Sequence, residues 1–165
     1  MMSKVYLISC VKTKRDVPCE SGDLYTSALF QKARKVAELE GDKWFILSAK
    51  YGLLSPEEIV NPYNETLINM SKSERLEWSK NVYKKLISRI EKKDEIIFLA
   101  GEKYREFLAK ELNSESYKTY APMANLSIGN QLKWLNSRIK KHTVEKDLDT
   151  FYKLLTKLEE GLGSG

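Results

Sequence analysis

Three short apolar runs, at residues 5–8, 44–47 and 96–99, constrain the fold of this chain more than any other feature. A continuous apolar run of this length is typical of a strand that is buried on both faces. Between the runs, apolar residues recur at helical spacing, and strands that alternate with helices build a mainly parallel sheet with right-handed crossovers. The pattern therefore predicts an α/β fold with three layers (α/β/α) and a small central sheet of about four strands, the fourth at residues 117–120.

The predicted helices leave one long loop at residues 50–70. Asp23 is expected to cap a helix that begins at Leu24 and stops at Gly41. Ser71 and Glu74 form a capping-box pattern for a helix that runs to about residue 92. Further helices are predicted over residues 104–112, 126–141 and 144–158. We expect a single domain over residues 1–160 with a flexible tail at 161–165.

The cysteine and histidine counts exclude several kinds of site. Two cysteines cannot build a disulfide framework, and a single histidine, His142, leaves too few ligands for a Cys/His zinc centre. A Ser-His-Asp or Cys-His catalytic centre would have to use His142, which lies in a lysine-rich stretch. We therefore expect no metal and no cofactor, and we assign any acid–base chemistry to carboxylate, Lys, Tyr or Ser side chains.

The net charge of +5 favours a polyanionic partner such as nucleic acid, although a solvated lysine-rich surface accounts for it equally well. No apolar run approaches the ~20 residues that a bilayer crossing needs. The first apolar run is too short for a signal peptide. These features lead us to expect a cytoplasmic protein with no membrane partner.

The polar segments after the strands form the candidate site, because ligands of such sheets bind outside the carboxyl ends of the strands. Lysines there can hold phosphates, an aromatic ring beside a lysine suits base stacking, and an asparagine can read a base edge. A helix that opens at a glycine favours an anion, and Gly52 permits a positive φ. The candidates are Ser9, Cys10, Lys12, Lys14 and Arg15 after the first strand, Ser48, Lys50, Tyr51 and Gly52 after the second, Asn61, Tyr63 and Glu65 in the long loop, and Gly101 after the third.

Each candidate also has a purely structural interpretation. The basic loop after the first strand can be an ordinary solvated surface, Tyr51 can pack on the core, and Asp23 can serve only as a helix cap. Tyr104 is expected to pack against the sheet, and Trp78 and Trp134 are expected to be buried or half-buried anchors. A late helix after the Ser127–Gln131 segment carries four cations that either track a phosphate backbone or form an exposed face; they are Lys133, Arg138, Lys140 and Lys141.

Four ordered motifs resemble a family of small bacterial and phage proteins that is described only as a domain of unknown function. They are Ser9-Cys10-x-Lys12-Thr13-Lys14, Asp23-Leu24-Tyr25-x-Ser27-x-x-Phe30, Ser48-Ala49-Lys50-Tyr51-Gly52-Leu53 and Pro62-Tyr63-x-x-x-Leu67. That family is similar to the uracil-DNA-glycosylase-related domain of archaeosine synthases and, more distantly, to the YaaA peroxide-stress proteins, which associate with DNA.

The resemblance implies an N-glycosidase-like fold that acts on a nucleobase, with a modified base in DNA as the expected substrate. Such chemistry needs an anion near an oxocarbenium-like sugar, donors for the departing base and contacts to an extruded nucleotide. Asp23, Lys50, Ser48 and Glu65 are the candidate catalytic residues, and Glu102 is a further candidate carboxylate. Tyr25 and Ser27 join the substrate-binding candidates, and a Schiff-base step at Lys50 is an alternative to simple hydrolysis.

Three hypotheses follow. The first is a DNA glycosylase that releases a modified base, such as a hydroxymethylated or glucosylated one of phage DNA, with a role in antiviral defence. The second is a non-catalytic nucleic-acid-binding module. The third is an N-ribosyl hydrolase or transferase that acts on nucleotides or on bases of tRNA. DNA is the expected partner, with RNA as the alternative.

Overall fold

The structure, a computed structural model, describes residues 3–9 and 14–163. Its elements in chain order are β1 (Lys4–Ser9), β2 (Cys19–Glu20), α1 (Ser21–Leu24), α2 (Ala28–Glu40), β3 (Lys43–Ser48), β4 (Gly52–Leu54), β5 (Ile59–Val60), a 3-10 turn (Leu67–Asn69), α3 (Lys72–Ile87), β6 (Glu95–Leu99), α4 (Glu102–Ser114), β7 (Lys118–Tyr120) and α5 (Ile128–Gly163).

A five-stranded sheet forms the centre, with strand order β4-β3-β1-β6-β7. All neighbours are parallel except β4, which runs antiparallel to β3. Helices α2 and α5 pack together on one side, and α3 and α4 pack together on the other. The predicted three-layer α/β/α fold with a mainly parallel sheet is confirmed. The fifth strand, β4, lies within the segment that the sequence predicted as loop.

The core follows from the three apolar runs. Residues 5–8 of β1 are buried and pair in register with β3 on one side and β6 on the other, with Ile8 opposite both Ile46 and Leu99. Tyr104 is buried, and its ring meets that of Trp78 edge-on at 5.7 Å. The predicted burial of both aromatic residues is thereby confirmed.

The start of the first long helix differs from the prediction. Asp23 lies inside the short helix α1, and the N-cap of α2 is Ser27, whose Oγ accepts a hydrogen bond from the backbone N of Phe30 at 3.2 Å. Tyr25 between the two helices is extended and forms an antiparallel bridge with Lys14, which interrupts the helix. The predicted stop at Gly41 is confirmed, because its N–H donates to the carbonyl of Ala37.

Other boundaries shift by a few residues. The capping box is confirmed: Ser71 Oγ accepts from the backbone N of Glu74, and the Glu74 carboxylate accepts from the N of Ser71. Helix α3 ends at Ile87 rather than near residue 92. The two helices predicted after residue 126 form one continuous helix, α5, that includes residues 161–163 of the expected flexible tail. Of the helices within the described residues, none is long and apolar enough to cross a bilayer.

Candidate active site

The sheet has its topological switch point between β1 and β6. From β1 the chain crosses to β3 on one side, and the later strand β6 pairs with β1 on the other side. Such a divergence opens a crevice outside the carboxyl ends of the two strands. Ser9 ends β1 and Gly101 follows β6, and the backbone N of Gly101 donates to Ser9 Oγ at 3.1 Å across the crevice.

A cavity of about 440 Å³ occupies this crevice and is called here the carboxyl-edge cavity. Ser9, Gly101 and Ile68 contribute to its wall. The rest comes from the starts of three helices. These are the N-cap Ser27 with residues 28–29 of α2, residues 102–104 of α4, and Ile128, Gln131 and Leu132 of α5. A second, smaller cavity of about 40 Å³ shares Ser9, Leu29, Gly101 and Gln131 with it. The volume is typical of a small-molecule site.

Three helix N-termini border the cavity, and each contributes a partial positive charge, because the first N–H groups of a helix point out of its N-terminus. Ser27 caps α2, and Ser127 Oγ accepts from the N of Asn130 at the start of α5. Helix α4 starts at Gly101 without a side-chain cap. No side-chain cap satisfies the first N–H groups of α4, so this turn can donate to an anion in the cavity.

The side chains of the cavity combine apolar walls with a few polar groups. Ile68 and Ile128 are 58% and 65% exposed, a large exposure for apolar side chains beside a cavity. Glu102 and Lys103 are exposed at the start of α4. The Gln131 amide is held in place by a hydrogen bond from Nε2 to the carbonyl of Leu126 at 2.9 Å. This arrangement suits a flat, largely apolar ring with polar edges and an anionic neighbour.

Four residues that the sequence proposed for the site lie in this wall: Ser9, Ser27, Gly101 and Glu102. Of the three candidate carboxylates, Glu102 is the one that lines the cavity. Cys10 and Lys12 lie outside the described residues.

A second group of predicted residues forms the tyrosine cluster, defined as Tyr25, Tyr51 and Tyr63. The hydroxyls of Tyr25 and Tyr63 are 2.5 Å apart, and the rings of Tyr51 and Tyr63 meet edge-on at 5.6 Å. Lys14 Nζ lies 4.5 Å from the centroid of the Tyr63 ring. Tyr25 and Tyr63 are buried and Tyr51 is half-buried, so the cluster is packed together rather than open for stacking.

The residues around Tyr51 are fixed by local contacts. Ser48 is fully buried; its Oγ accepts from the N of Tyr51 at 3.0 Å and its carbonyl accepts from Trp78 Nε1 at 2.8 Å. Gly52 has a φ of +74°, which confirms the predicted positive φ and forms the turn from β3 into β4. Lys50 is exposed with Nζ 5.4 Å from the Tyr51 ring, and the carbonyl of Asn61 accepts from the Tyr51 hydroxyl.

Asp23 and Glu65 do not line the carboxyl-edge cavity. Asp23 pairs with Arg34 Nη1 at 2.8 Å, and the Arg34 guanidinium also lies 5.5 Å from the Trp44 ring. Burial lowers the pKa of Arg34, but hydrogen bonds to Asp23 and Glu38 outweigh it and raise that pKa overall. Glu65 lies in the long loop and is exposed. Arg15, near the start of the chain, is also exposed.

The four cations of α5 divide into two groups. Lys133, Lys140 and Lys141 are exposed. Arg138 instead forms an ion pair with Glu40 at the end of α2, and its guanidinium lies over the Trp134 ring. A phosphate-backbone role for these residues stays a prediction.

Glu40 is the centre of a buried polar cluster that the sequence did not predict. Its side chain is 5% exposed, and its carboxylate accepts hydrogen bonds from Tyr6 Oη at 2.9 Å and from Arg138 Nη2, with His142 Nε2 at 3.0 Å. Burial raises the pKa of Glu40, but these hydrogen bonds outweigh it and hold the pKa below its usual value. For Tyr6, burial and then the Glu40 hydrogen bond raise the pKa of the phenol. The cluster ties α5 to α2 and does not line the cavity.

Comparison with known proteins places this architecture in a family. Residues 5–137 match DUF6884, a family of unknown function. The chain belongs to the DUF6884 family. It is also 28% identical over 149 residues to the uncharacterized protein YfjM of Bacillus subtilis (strain 168), a match that covers 85% of this chain and 97% of that protein.

The DUF6884 match covers every residue in the wall of the carboxyl-edge cavity, the tyrosine cluster and Glu40. Family membership agrees with the expectation of a family of unknown function, and the kinship to uracil-DNA-glycosylase-related domains stays a prediction. From residue 138 onward, α5 lies outside the matched region.

Several residues in the wall of the carboxyl-edge cavity were not predicted from the sequence. Gln131 and Ile128 lie in a segment noted only for its place after the fourth strand, and Ile68 lies within the loop. An isolated exposed isoleucine leaves no local signal, because its exposure depends on tertiary packing. The convergence of three helix starts could have been found, because a helix that follows a strand of a parallel sheet begins at the carboxyl edge of that sheet.

Proposed function

We propose that the chain is an N-glycosidase that hydrolyses the bond between a nucleobase and its sugar in DNA and leaves an abasic site. The observation that carries the proposal is the carboxyl-edge cavity. It lies at the switch point, combines apolar walls with an amide, and has the carboxylate of Glu102 in its wall. The reaction class itself comes from the motif resemblance.

The chemistry assigns distinct tasks to the cavity groups. As the bond from C1′ to the base nitrogen breaks, the sugar becomes oxocarbenium-like and the base departs with the electron pair. The Glu102 carboxylate stabilises the positive sugar and accepts a proton from the water that adds to C1′. The uncapped start of α4 and the Lys103 ammonium stabilise the negative charge on the leaving base.

Recognition of the base uses the remaining groups of the wall. Ile68 and Ile128 present apolar surface for the faces of an extruded base, and the Gln131 amide can pair with a base edge. A modified base, such as a hydroxymethylated or glucosylated base of phage DNA, is the proposed target, with a role in antiviral defence. This choice of target rests on the resemblance alone.

The test is base release from DNAs that contain ordinary bases, uracil, 5-hydroxymethylated bases or glucosylated bases. Abasic sites are scored by alkaline cleavage and freed bases by mass spectrometry. Three near-isosteric variants compare the candidate carboxylates: Glu102→Gln, Asp23→Asn and Glu65→Gln. We expect only Glu102→Gln to lose release, by about 100-fold or more, as is usual for an acid–base group.

Three outcomes would contradict the proposal. Activity that survives in Glu102→Gln but is lost in Asp23→Asn or Glu65→Gln would place the chemistry outside the cavity. Salt-sensitive DNA binding without release from any DNA would indicate the non-catalytic binding module. Turnover of free nucleotides or of tRNA bases, with all DNAs inert, would indicate the N-ribosyl hydrolase or transferase.

A further inference from the structure

The last part of α5 projects from the body of the protein. Every residue from Thr143 to Gly163 is exposed, although the helix is continuous over this stretch. Its 21 helical residues extend about 32 Å. In proteins, most of the stability of a helix comes from packing of its apolar face, and the described residues of one chain do not cover this stretch. The carboxyl-edge cavity does not account for this exposed end of α5, because no residue of the cavity wall lies in it.

One face of the projection carries an apolar seam at alternating intervals of four and three residues: Val144, Leu148, Phe151, Leu155, Leu158 and Leu162. These side chains are exposed, with Phe151 at 56% and Leu158 at 64%. Spacing of this kind corresponds to the a and d positions of a heptad repeat, with Leu148, Leu155 and Leu162 at a. The opposite face is polar and includes an ion pair of Lys153 with Asp149.

We propose that the occupant of this seam is the same seam of a second copy of the chain, in a parallel two-stranded coiled coil. The inference is independent of the proposed function. In the parallel arrangement, a residue at position g faces position e of the following heptad on the other helix. This places Lys140 of each copy beside Glu145 of the other, and it puts Lys141 at an a position, where a lysine specifies register and oligomeric state.

The charges disfavour the antiparallel arrangement. Antiparallel packing would pair Val144 with Leu162, Leu148 with Leu158 and Phe151 with Leu155. The same register would bring Glu145 of one copy beside Glu159 of the other, and like charges at adjacent positions are destabilising. The Glu145 carboxylate, 3.7 Å from His142 Nδ1 on its own helix, is half-exposed and accessible to a lysine of the second copy. The geometry thus gives a closed two-fold dimer.

The mass in solution tests the proposal, measured by light scattering and sedimentation from low to high micromolar concentration. The parent chain is expected to have twice the 19.1 kDa mass of one chain. The seam variant Phe151→Lys/Leu155→Lys should have the mass of one chain. The matched control Thr150→Lys/Thr156→Lys adds the same charge to the polar face and should stay dimeric. A parent chain that stays at single-chain mass throughout would overturn the proposal, whatever other partner the seam has.

Cysteine cross-linking tests the direction of the helices. In the parallel dimer Leu148 faces Leu148 of the other copy, so Leu148→Cys alone should form a disulfide-linked dimer on oxidation. The parent chain, which carries Cys10 and Cys19, is treated identically as the control. A cross-link that forms only when Leu148→Cys chains are mixed with Leu158→Cys chains would refute the parallel arrangement.

Discussion

Removal of the Glu40 carboxylate should destabilise the protein far more than removal of a surface carboxylate. Glu40 is 5% exposed and interacts with Tyr6, Arg138 and His142. The substitution Glu40→Ala would leave the Tyr6 hydroxyl buried without its acceptor and the Arg138 guanidinium without its counter-charge. Breaking a buried ion pair on one side costs about 3–5 kcal/mol.

The structure sets the expected loss at the lower end of that range. Arg138 is 35% exposed and His142 is 24% exposed, so both can turn partly to water when the carboxylate is removed. We expect Glu40→Ala to lose about 3 kcal/mol of unfolding free energy. For a chain of this size that corresponds to a fall in Tm of roughly 6–12 °C.

Glu38→Ala, on the same helix, is the matched control. Glu38 forms an i,i+4 ion pair with Arg34 at 2.5 Å, with both side chains partly exposed. Such a pair contributes about 0.5 kcal/mol or less. Urea and thermal unfolding, followed by circular dichroism, give the comparison. Equal small losses in Glu40→Ala and Glu38→Ala would refute the assignment of Glu40 as a buried ionic anchor.

The pH dependence supplies a second readout of the same prediction. The folded pKa of Glu40 lies below its ordinary value of 4.5 because the hydrogen bonds from His142, Arg138 and Tyr6 outweigh burial. The unfolded chain therefore binds the proton first as the pH falls. The stabilisation is fully present above pH 4.5 and is lost as the pH falls through the folded pKa. The difference in unfolding free energy between the parent chain and Glu40→Ala should therefore decrease over that acidic range.

Two further predictions concern the backbone, and urea unfolding checks both. Gly52→Ala should lose about 1–2 kcal/mol of unfolding free energy, because the φ of Gly52 is +74°. Gly101→Ala should be about as stable as the parent chain, because the φ of Gly101 is −64° and an added Cβ meets no atom within 4 Å. Equal effects of the two would contradict the argument. Ser71→Ala should lose about 1 kcal/mol with the capping box of α3. The control Ser73→Ala removes the contact of Ser73 Oγ with Ser71 Oγ but leaves the bond from the N of Glu74 to Ser71 Oγ in place, and an equal loss in the two variants would show that the cap contributes little.

The sheet could be predicted because its central strands are buried on both faces. Residues 5–8 and 96–99 must be apolar throughout when helices cover both sides, and such runs are visible without an alignment. Strand β4 could not be predicted in the same way. It has only three residues and begins at Gly52, directly after the turn at residues 49–51, and three residues are too few for any periodicity.

The position of the candidate site could be predicted from the sequence, but several of its side chains could not. The strand-end rule identified Ser9 and Gly101, which are joined by a hydrogen bond across the crevice. The rule could not separate Glu102 from Asp23 and Glu65, because the partner of Asp23 is Arg34, eleven residues further along the chain. Ion pairs between surface elements depend on the packed structure, and local sequence contains little information about them.

Helix α5 connects features that the sequence treated separately. Its first turn contributes Gln131 to the cavity, its middle is tied to Glu40 through Arg138, and its exposed end carries the seam. From Gln131 to Val144 the helix is continuous and about 20 Å long. It contains no proline over this stretch, so no sharp kink is expected. A second copy bound at the seam would therefore hold its own cavity at a fixed separation from the first. The Glu40 cluster holds α5 against α2 through Arg138 and His142, so the same buried carboxylate that stabilises the fold would also restrict the relative placement of the two cavities in the proposed dimer.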